Sequence, residues 1–123
     1  MKNLVLVAHG SRRQASNEEV KVLAAKVEKH LPNGFSGVEV AFLELASPSI
    51  EEAIDRCYQA GASELLVLPY FLSAGTHVAK DVPHEVAKAM DKWPDKAIDI
   101  VPHIGSLDSM IDLIISVCPT TDA

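Results

Sequence analysis

Four short apolar runs, separated by segments with helical periodicity, constrain the fold of this chain most. The runs lie at residues 4–8, 38–45, 65–68 and 98–101. Continuous apolar runs of this length are typical of strands that are covered on both faces, as in a parallel sheet. The second run contains the charged residues Glu39 and Glu44, which indicates a strand at the edge of the sheet.

Two helices are predicted in the first half of the chain. The first has a stripe of apolar residues at helical spacing and a Ser16–Glu19 capping box before it. The stripe consists of Val20, Leu23, Val27 and Leu31. The second helix is expected to begin with Ser47 as its cap and Pro48 at its first helical position.

Two more helices are predicted in the second half. The third is expected over residues 82–93, with Pro83 in its first turn and with residues 71–81 left as a loop. The fourth is expected over residues 106–117. Its inward positions are predicted to be Leu107, Met110, Ile111 and Ile114.

The alternation of strands and helices predicts an α/β fold. We expect an open, mostly parallel four-stranded sheet flanked by helices on both faces, similar to a flavodoxin-like half-domain. A length of 123 residues suits a single domain over residues 1–123. Because four strands make a small sheet, an exposed edge or helix face is expected to attract a second copy.

Composition narrows the classes of partner. The formal net charge is −6, which is the opposite of the basic patch that nucleic-acid binding requires. The apolar runs are far shorter than a membrane helix or a signal peptide needs, so we expect a cytoplasmic protein with no membrane partner. Cys57 and Cys118 are expected to be reduced and mostly buried.

Three chemically capable side chains follow three different strands. His9 follows the first strand, Glu44 ends the second, and His77 lies beyond the third. Ligands of open α/β sheets bind beyond the carboxyl ends of the strands, so these side chains are expected to meet there. Two imidazoles and a carboxylate suit an open site for a divalent metal such as cobalt, nickel, iron or zinc.

The neighbouring residues indicate the environment of Glu44 and of the other histidines. Apolar neighbours predict that Glu44 is partly desolvated, which would raise its pKa and suit a base. His30 is expected to end the first helix, and His84 is expected on a helix surface. The sequence leaves a structural and a functional role equally open for His103.

The chain resembles a known family at these positions. The motifs are VAHGSR at residues 7–12, FLE at 42–44 followed by Pro48, and LPYFL at 68–72 followed by GTHV and DVP up to residue 83. Together they resemble the small, single-domain sirohydrochlorin cobaltochelatases of the CbiX type, which are class II chelatases. The resemblance extends from residue 4 to about residue 104.

The resemblance implies an activity. Such proteins insert a divalent metal, Co²⁺ in the first place and otherwise Ni²⁺ or Fe²⁺, into sirohydrochlorin or a related tetrapyrrole without ATP. It implies a role in cobalamin-type biosynthesis, no cofactor beyond the metal substrate, and a homodimer. It assigns metal handling and catalysis to His9 and His77, with Glu44 as the accompanying carboxylate.

Candidate substrate contacts follow from the chemistry of an anionic, flat ring. Guanidinium, ammonium and backbone amide groups suit its carboxylates, and apolar side chains suit its faces. The candidates for the carboxylates are Gly10, Ser11, Arg12, Arg13 and Lys80. The candidates for the ring faces are Leu43, Phe71 and Leu72.

Two other functions use the same residues. A phosphoryl-carrier protein would use His9 as its nucleophile and would need neither Glu44 nor the segment around His77. Histidine phosphatases would require Arg-His-Gly, whereas Ala8 precedes His9 here. A non-catalytic cobalt or nickel carrier would use all three residues and would differ from a chelatase only in lacking tetrapyrrole turnover.

Overall fold

Four strands and four α-helices alternate along the chain. The structure, a computed structural model, describes residues 1–121 apart from the side chain of His77. The elements are β1 (Lys2–Ala8), α1 (Gln14–Glu28), β2 (Phe35–Phe42), α2 (Ile50–Gln59), β3 (Glu64–Pro69), α3 (Thr76–Met90), β4 (Ala97–Ile100), a 3₁₀ turn (Ile104–Ser106) and α4 (Ser109–Ser116). The four predicted strands are therefore confirmed to within two residues of their ends, except that β2 begins and ends three residues earlier.

The sheet is parallel throughout, in the order β2-β1-β3-β4. The second strand lies at an edge, as its charged residues predicted. Because every strand runs in the same direction, all four carboxyl ends lie along one edge of the sheet. The chain reverses its strand order at β1, so the segments after β1, β2 and β3 are neighbours at that edge.

Helices cover both faces of the sheet, as predicted. On one face, Ala24 and Val20 of α1 pack with Leu6 and Phe42. On the other face, α2 and α3 pack on the alternate residues of the strands. The fully buried members of this second core include Val5, Val7, Ile54, Val67 and Ala89.

Hydrogen bonds and ion pairs fasten α2 to its neighbours. The Tyr58 hydroxyl donates to the Ala97 carbonyl of β4 at 2.7 Å, and desolvation raises the pKa of Tyr58 to about 12. It therefore remains a donor throughout the physiological range. Trp93 Nε1 donates to Asp55 at 2.9 Å, and Lys92 Nζ lies 2.9 Å from Glu51.

The caps of the first two helices differ from the prediction. The N-cap of α1 is Arg13, and Ser16 lies inside the helix. Ser49, not Ser47, caps α2: its hydroxyl accepts from the Glu52 amide at 3.1 Å, and its own amide donates to the Glu52 carboxylate. The donation from the Ser49 amide lowers the pKa of Glu52. Pro48 lies between Ser47 and Ser49, and either serine could cap a helix. The structure uses the second, so Pro48 lies before the helix and not at its first position.

The third helix begins six residues earlier than predicted, at Thr76, and Pro83 lies in its interior. The proline was expected in the first turn because an interior proline loses a hydrogen bond and costs about 3 kcal/mol. Burial of an apolar stripe offsets this cost. Val82, Val86 and Ala89 are all buried against the sheet and α2.

The fourth helix is also shorter and is oriented differently from the prediction. A 3₁₀ turn precedes it, and α4 spans only Ser109–Ser116. Ile111 and Ile114, expected to face inward, are 63% and 57% exposed. Cys118 is exposed as well, whereas Cys57 is buried and desolvation raises its pKa.

Over residues 1–121, none of the helices combines the length and the apolar character needed to cross a membrane.

The cap of α2 gives a direct test of the local structure. Ser49→Ala removes the acceptor for the Glu52 amide, and we expect it to lower the free energy of unfolding by about 1 kcal/mol. Ser47→Ala is the matched control, because Ser47 is exposed and lies outside the cap. Urea unfolding followed by circular dichroism measures both. An equal loss in the two variants would contradict the assignment of the cap to Ser49.

Candidate active site

Backbone pairing beyond the strand ends brings His9 and Glu44 together. The pairing of β1 with β2 continues past Ala8, since the Leu43 amide donates to the Ala8 carbonyl at 2.9 Å and the Glu44 amide donates to the His9 carbonyl at 3.1 Å. The two side chains then lie on the same edge. His9 Nε2 is 3.5 Å from Glu44 Oε1, and the ring of His9 meets Phe71 edge-on at 5.9 Å.

Both groups of this pair face solvent. The side chains of His9 and Glu44 are 54% and 59% exposed. The predicted desolvation of Glu44 is therefore wrong, because the chain reaches the surface after Phe42 enters the core, and Glu44 and Leu45 are both exposed. An open imidazole–carboxylate pair can hold a cation or exchange a proton with a ligand in the cleft.

Gly10 makes this close approach possible. Its φ is +97°, and a Cβ atom at this position would lie 1.7 Å from the Glu44 carbonyl oxygen. Any other residue would therefore separate the loop after β1 from the segment that carries Glu44. The sequence singled out Gly10 as an anion-binding candidate, but its place in the structure gives it a packing role.

A buried asparagine fixes the rest of the loop. Asn17 is 4% exposed; its Oδ1 accepts from the Ser11 amide at 2.9 Å, and its Nδ2 donates to the Ser11 carbonyl at 2.8 Å. The Ser11 amide is thus already bonded within the protein. Asn17 was not among the residues predicted from the sequence, although an amide at an inward position of a helix signals such a bond.

A cleft of about 330 Å³ opens beside the pair. His9, Leu43 and Glu44 line one side of it, and α3 lines the other with Val78, Asp81 and Glu85. Asp81 and Glu85 were also not among the predicted site residues. Their i, i+4 spacing on one helix face was a usable signal, but only once the helix is known to begin before residue 81.

His77 belongs to the first turn of α3, and its side chain lies outside the described residues. Two of the three side chains in the predicted ligand set, those of His9 and Glu44, are therefore described. Among the side chains that are described, no group of three histidine, cysteine or acidic residues is placed to hold a metal ion. The full set remains a prediction.

The three side chains predicted to contact the ring faces differ in their exposure to solvent. Leu43 is half-buried in the wall of the cleft, Phe71 is buried beneath His9, and Leu72 is 76% exposed. Gly105 packs closely against the backbone of Leu72: a Cβ atom added to Gly105 would lie 1.7 Å from the Leu72 carbonyl oxygen. Leu43 and Leu72 are thus the apolar surfaces open to a flat ligand.

The other candidates lie around this edge. Arg12 and Arg13 are exposed on the loop after β1, and Lys80 is exposed on α3. His84 is exposed on α3, as expected of a surface histidine. His103 is half-buried and lines a separate pocket of about 170 Å³ behind Phe71.

The sequence matches one known family along most of its length. The family model described as CbiX matches residues 3–119. The chain is 40% identical over 83 residues to a sirohydrochlorin cobaltochelatase of Methanocaldococcus jannaschii, covering 68% of this chain and 57% of that protein. It is 31% identical to a sirohydrochlorin cobaltochelatase of Sulfolobus acidocaldarius, covering 93% and 87% of the two chains.

Solved structures agree with the fold. The chain superposes on a cobalamin biosynthesis CbiX protein from Marinobacter aquaeolei with a TM-score of 0.80 at 28% identity, covering 95% of this chain and 93% of that one. Several relatives are longer. The chain spans 42%, 62% and 48% of three curated relatives, from Priestia megaterium, Methanopyrus kandleri and Arabidopsis thaliana.

The close packing of Gly10 on Glu44 can be tested with a matched pair of glycines. Gly10 and Gly61 both have a positive φ, but only Gly10 has another residue within contact distance of an added Cβ. Gly61→Ala is expected to cost about 1–2 kcal/mol of stability for the backbone conformation. Gly10→Ala is expected to cost more, because it adds a clash with the Glu44 backbone. Urea unfolding that gives equal losses would contradict the packing role.

Proposed function

We infer the function from one premise: this chain belongs to the CbiX family. We propose that it inserts a divalent metal into sirohydrochlorin or a related tetrapyrrole, without ATP and with no resident cofactor. The observation that supports this most directly is the solvent-open pair in which His9 Nε2 lies 3.5 Å from Glu44 Oε1. The metal is a substrate of this reaction, and Co²⁺ is our first candidate because curated relatives of two archaea are named cobaltochelatases.

The chemistry required is proton removal coupled to metal transfer. A tetrapyrrole must lose two pyrrole N–H protons when a divalent ion enters its ring. A neutral imidazole can bind the ion or accept a proton, and a carboxylate within 3.5 Å can take that proton onward to solvent. Neither group holds a first-row metal as tightly as thiolates would, so the ion can be released to the ring.

We assign metal handling to His9, Glu44 and His77. The first two share one cleft. His77 is included on the basis of the family motif, and its position in the first turn of α3 supports this assignment. The exposed Asp81 and half-buried Glu85 on the facing side attract a cation to the same cleft. The identity of the physiological metal follows geometry and availability more than ligand type, and relatives include both cobalto- and ferrochelatases.

Recognition of the tetrapyrrole rests on local groups, because the chain and its substrate are both anionic. Arg12 and Arg13 offer guanidinium groups to carboxylates beside the cleft. Lys80 offers an ammonium group from α3. The exposed Leu72 and the half-buried Leu43 would contact the ring itself.

We further propose that the working unit is a homodimer in the cytoplasm. This chain spans about half the length of several relatives, including the SirB chelatase of Bacillus subtilis, of which it covers 48%. Two copies of this chain together would match such a longer protein. The cleft at the sheet edge is open on one side and would be closed by a second subunit.

Metal insertion gives the first functional test. Purified protein is mixed anaerobically with sirohydrochlorin and Co²⁺, Ni²⁺ or Fe²⁺, and insertion is followed by absorbance against metal-only controls. His9→Ala and His77→Ala are each expected to fold normally and to lose at least about a hundredfold in rate, the lower end of what a positioned proton-transfer group contributes.

The control is His30→Ala, which removes an exposed histidine remote from the cleft and should leave the rate unchanged. Full activity in His9→Ala would remove His9 from the mechanism. Metal binding without any turnover by the native protein would instead favour a metal carrier, and phosphate transfer onto His9 would favour a phosphoryl carrier.

The dimer has its own test. Sedimentation at working concentration is expected to give a mass of about twice the 13.2 kDa of one chain. A mass that stays near 13.2 kDa across the concentration range would refute the homodimer while leaving the insertion assay to decide the activity.

A further inference from the structure

The imidazole of His9 is open to solvent, so its orientation depends on the few groups that touch it. Its side chain is 54% exposed, and Glu44 approaches one of its ring nitrogens, Nε2, at 3.5 Å. A metal-binding histidine is usually oriented by a partner at its other ring nitrogen. Among the side chains that the structure describes, the second contact of the His9 ring is instead the aromatic ring of Phe71.

Phe71 supports His9 from the interior of the protein. The Phe71 side chain is buried, the two ring centroids lie 5.9 Å apart, and the ring planes meet at 80°. This edge-to-face arrangement is one that aromatic pairs favour. Because Phe71 is buried and His9 is not, the position of Phe71 determines the geometry of the pair.

Side-chain packing alone does not hold Phe71 against His9. A pocket of about 170 Å³ lies behind the Phe71 ring, and the side chains that line it are apolar except for that of His103. A cavity of about 150 Å³ is sufficient to hold a benzene ring. The Phe71 ring therefore has room to withdraw from His9 unless its backbone is fixed.

The loop after β4 fixes that backbone. The Gly105 amide donates to the Phe71 carbonyl at 3.0 Å, and a Cβ atom added to Gly105 would lie 1.7 Å from the Leu72 carbonyl oxygen. Gly105 does not have a left-handed φ, so the close contact, and not the backbone conformation, requires a glycine here. The loop is itself tied to β3, because the Val101 amide donates to the Val67 carbonyl at 2.9 Å.

We propose that Phe71 is a positioning residue for His9, and that Gly105 holds Phe71 in place from the loop after β4. Phe71 acts by limiting the directions in which the His9 nitrogens point, and it does not contact the reacting atoms. The inference rests on the proposed function, in which His9 handles the metal. It gives the fourth strand a part in a site whose other residues follow the first three strands.

The experiment measures the binding of Co²⁺ alone by calorimetric titration and, separately, kcat and KM for insertion into sirohydrochlorin. Phe71→Leu removes the aromatic ring but keeps an apolar side chain. It is expected to lower both the Co²⁺ affinity and kcat by about tenfold, the lower end for loss of a group that orients a metal ligand. KM for sirohydrochlorin should stay near the native value, because Leu43 and Leu72 are unchanged.

Gly105→Ala leaves Phe71 in the sequence but forces its backbone away from the loop after β4. It is expected to lower the Co²⁺ affinity by about tenfold as well. A Gly105→Ala chain that fails to fold, as judged by circular dichroism, would overturn the assignment of Gly105, since its contact would then serve folding. Phe71→Leu would still decide the positioning of His9.

Two matched controls separate positioning from a general loss of stability. Gly37→Ala adds a Cβ atom in β2, where it would meet only the Glu28 side chain, at 3.4 Å. Ile54→Val removes a buried methyl group from α2, in the same core cluster as Phe71. Both controls are expected to keep the native Co²⁺ affinity and the native kcat.

The results that would overturn the positioning role differ from those that would overturn the function. A native Co²⁺ affinity in Phe71→Leu, or an equal loss in Ile54→Val, overturns the role of Phe71. A raised KM with native kcat would make Phe71 a tetrapyrrole contact instead.

Native protein that binds Co²⁺ but inserts no metal would overturn the proposed function, and the Co²⁺ affinity of Phe71→Leu would still decide the positioning role. Native protein that binds no Co²⁺ would overturn metal handling by His9 and the positioning role together.

Discussion

The candidate site depends on backbone pairing that continues beyond the ends of the strands. Two amides, those of Leu43 and Glu44, donate to the carbonyls of Ala8 and His9 after β2 has ended. This extends the parallel ladder just far enough to set a carboxylate beside an imidazole. The two segments can lie this close because residue 10 is a glycine, which adopts a positive φ and has no Cβ atom to meet the Glu44 backbone.

Two buried side chains, Asn17 and Phe71, hold the loops beside this ladder. Asn17 binds the loop after β1 through both its amide atoms, and it reaches that loop from inside α1. Phe71 is buried beneath the His9 ring and anchors the loop after β3 in the same way. The site is therefore built on loops, but each loop is fixed by a buried side chain, which is how an exposed pair can keep a defined geometry.

The sequence predicted the strands, the edge position of β2 and the meeting of His9 with Glu44, because these follow from local patterns and from the parallel direction of the strands. It failed where tertiary packing outweighs a local preference. The interior Pro83 is tolerated because Val82 and Val86 are buried. No local pattern reports such compensation, so α3 was predicted to begin too late, and the cleft residues Asp81 and Glu85 were overlooked as a consequence.

The fourth helix shows a different limit. Periodicity identified its apolar residues correctly, but it cannot say which chain will cover them. Ile111 and Ile114 were expected to face inward, but they are 63% and 57% exposed, because α4 mainly contacts the 3₁₀ turn before it and not the sheet.

The cleft and the loop beside it carry opposite charges. Glu44, Asp81 and Glu85 concentrate negative potential around an open cleft in a chain of net charge −6, which favours a divalent cation there and opposes an anionic ring. Arg12 and Arg13 lie on the neighbouring loop, so the ring's carboxylates have partners away from those three groups. A metal ion in the cleft would also reduce the repulsion that the ring meets on approach. For the proposed insertion reaction, the electrostatics of this edge would favour an order in which the cation arrives no later than the tetrapyrrole.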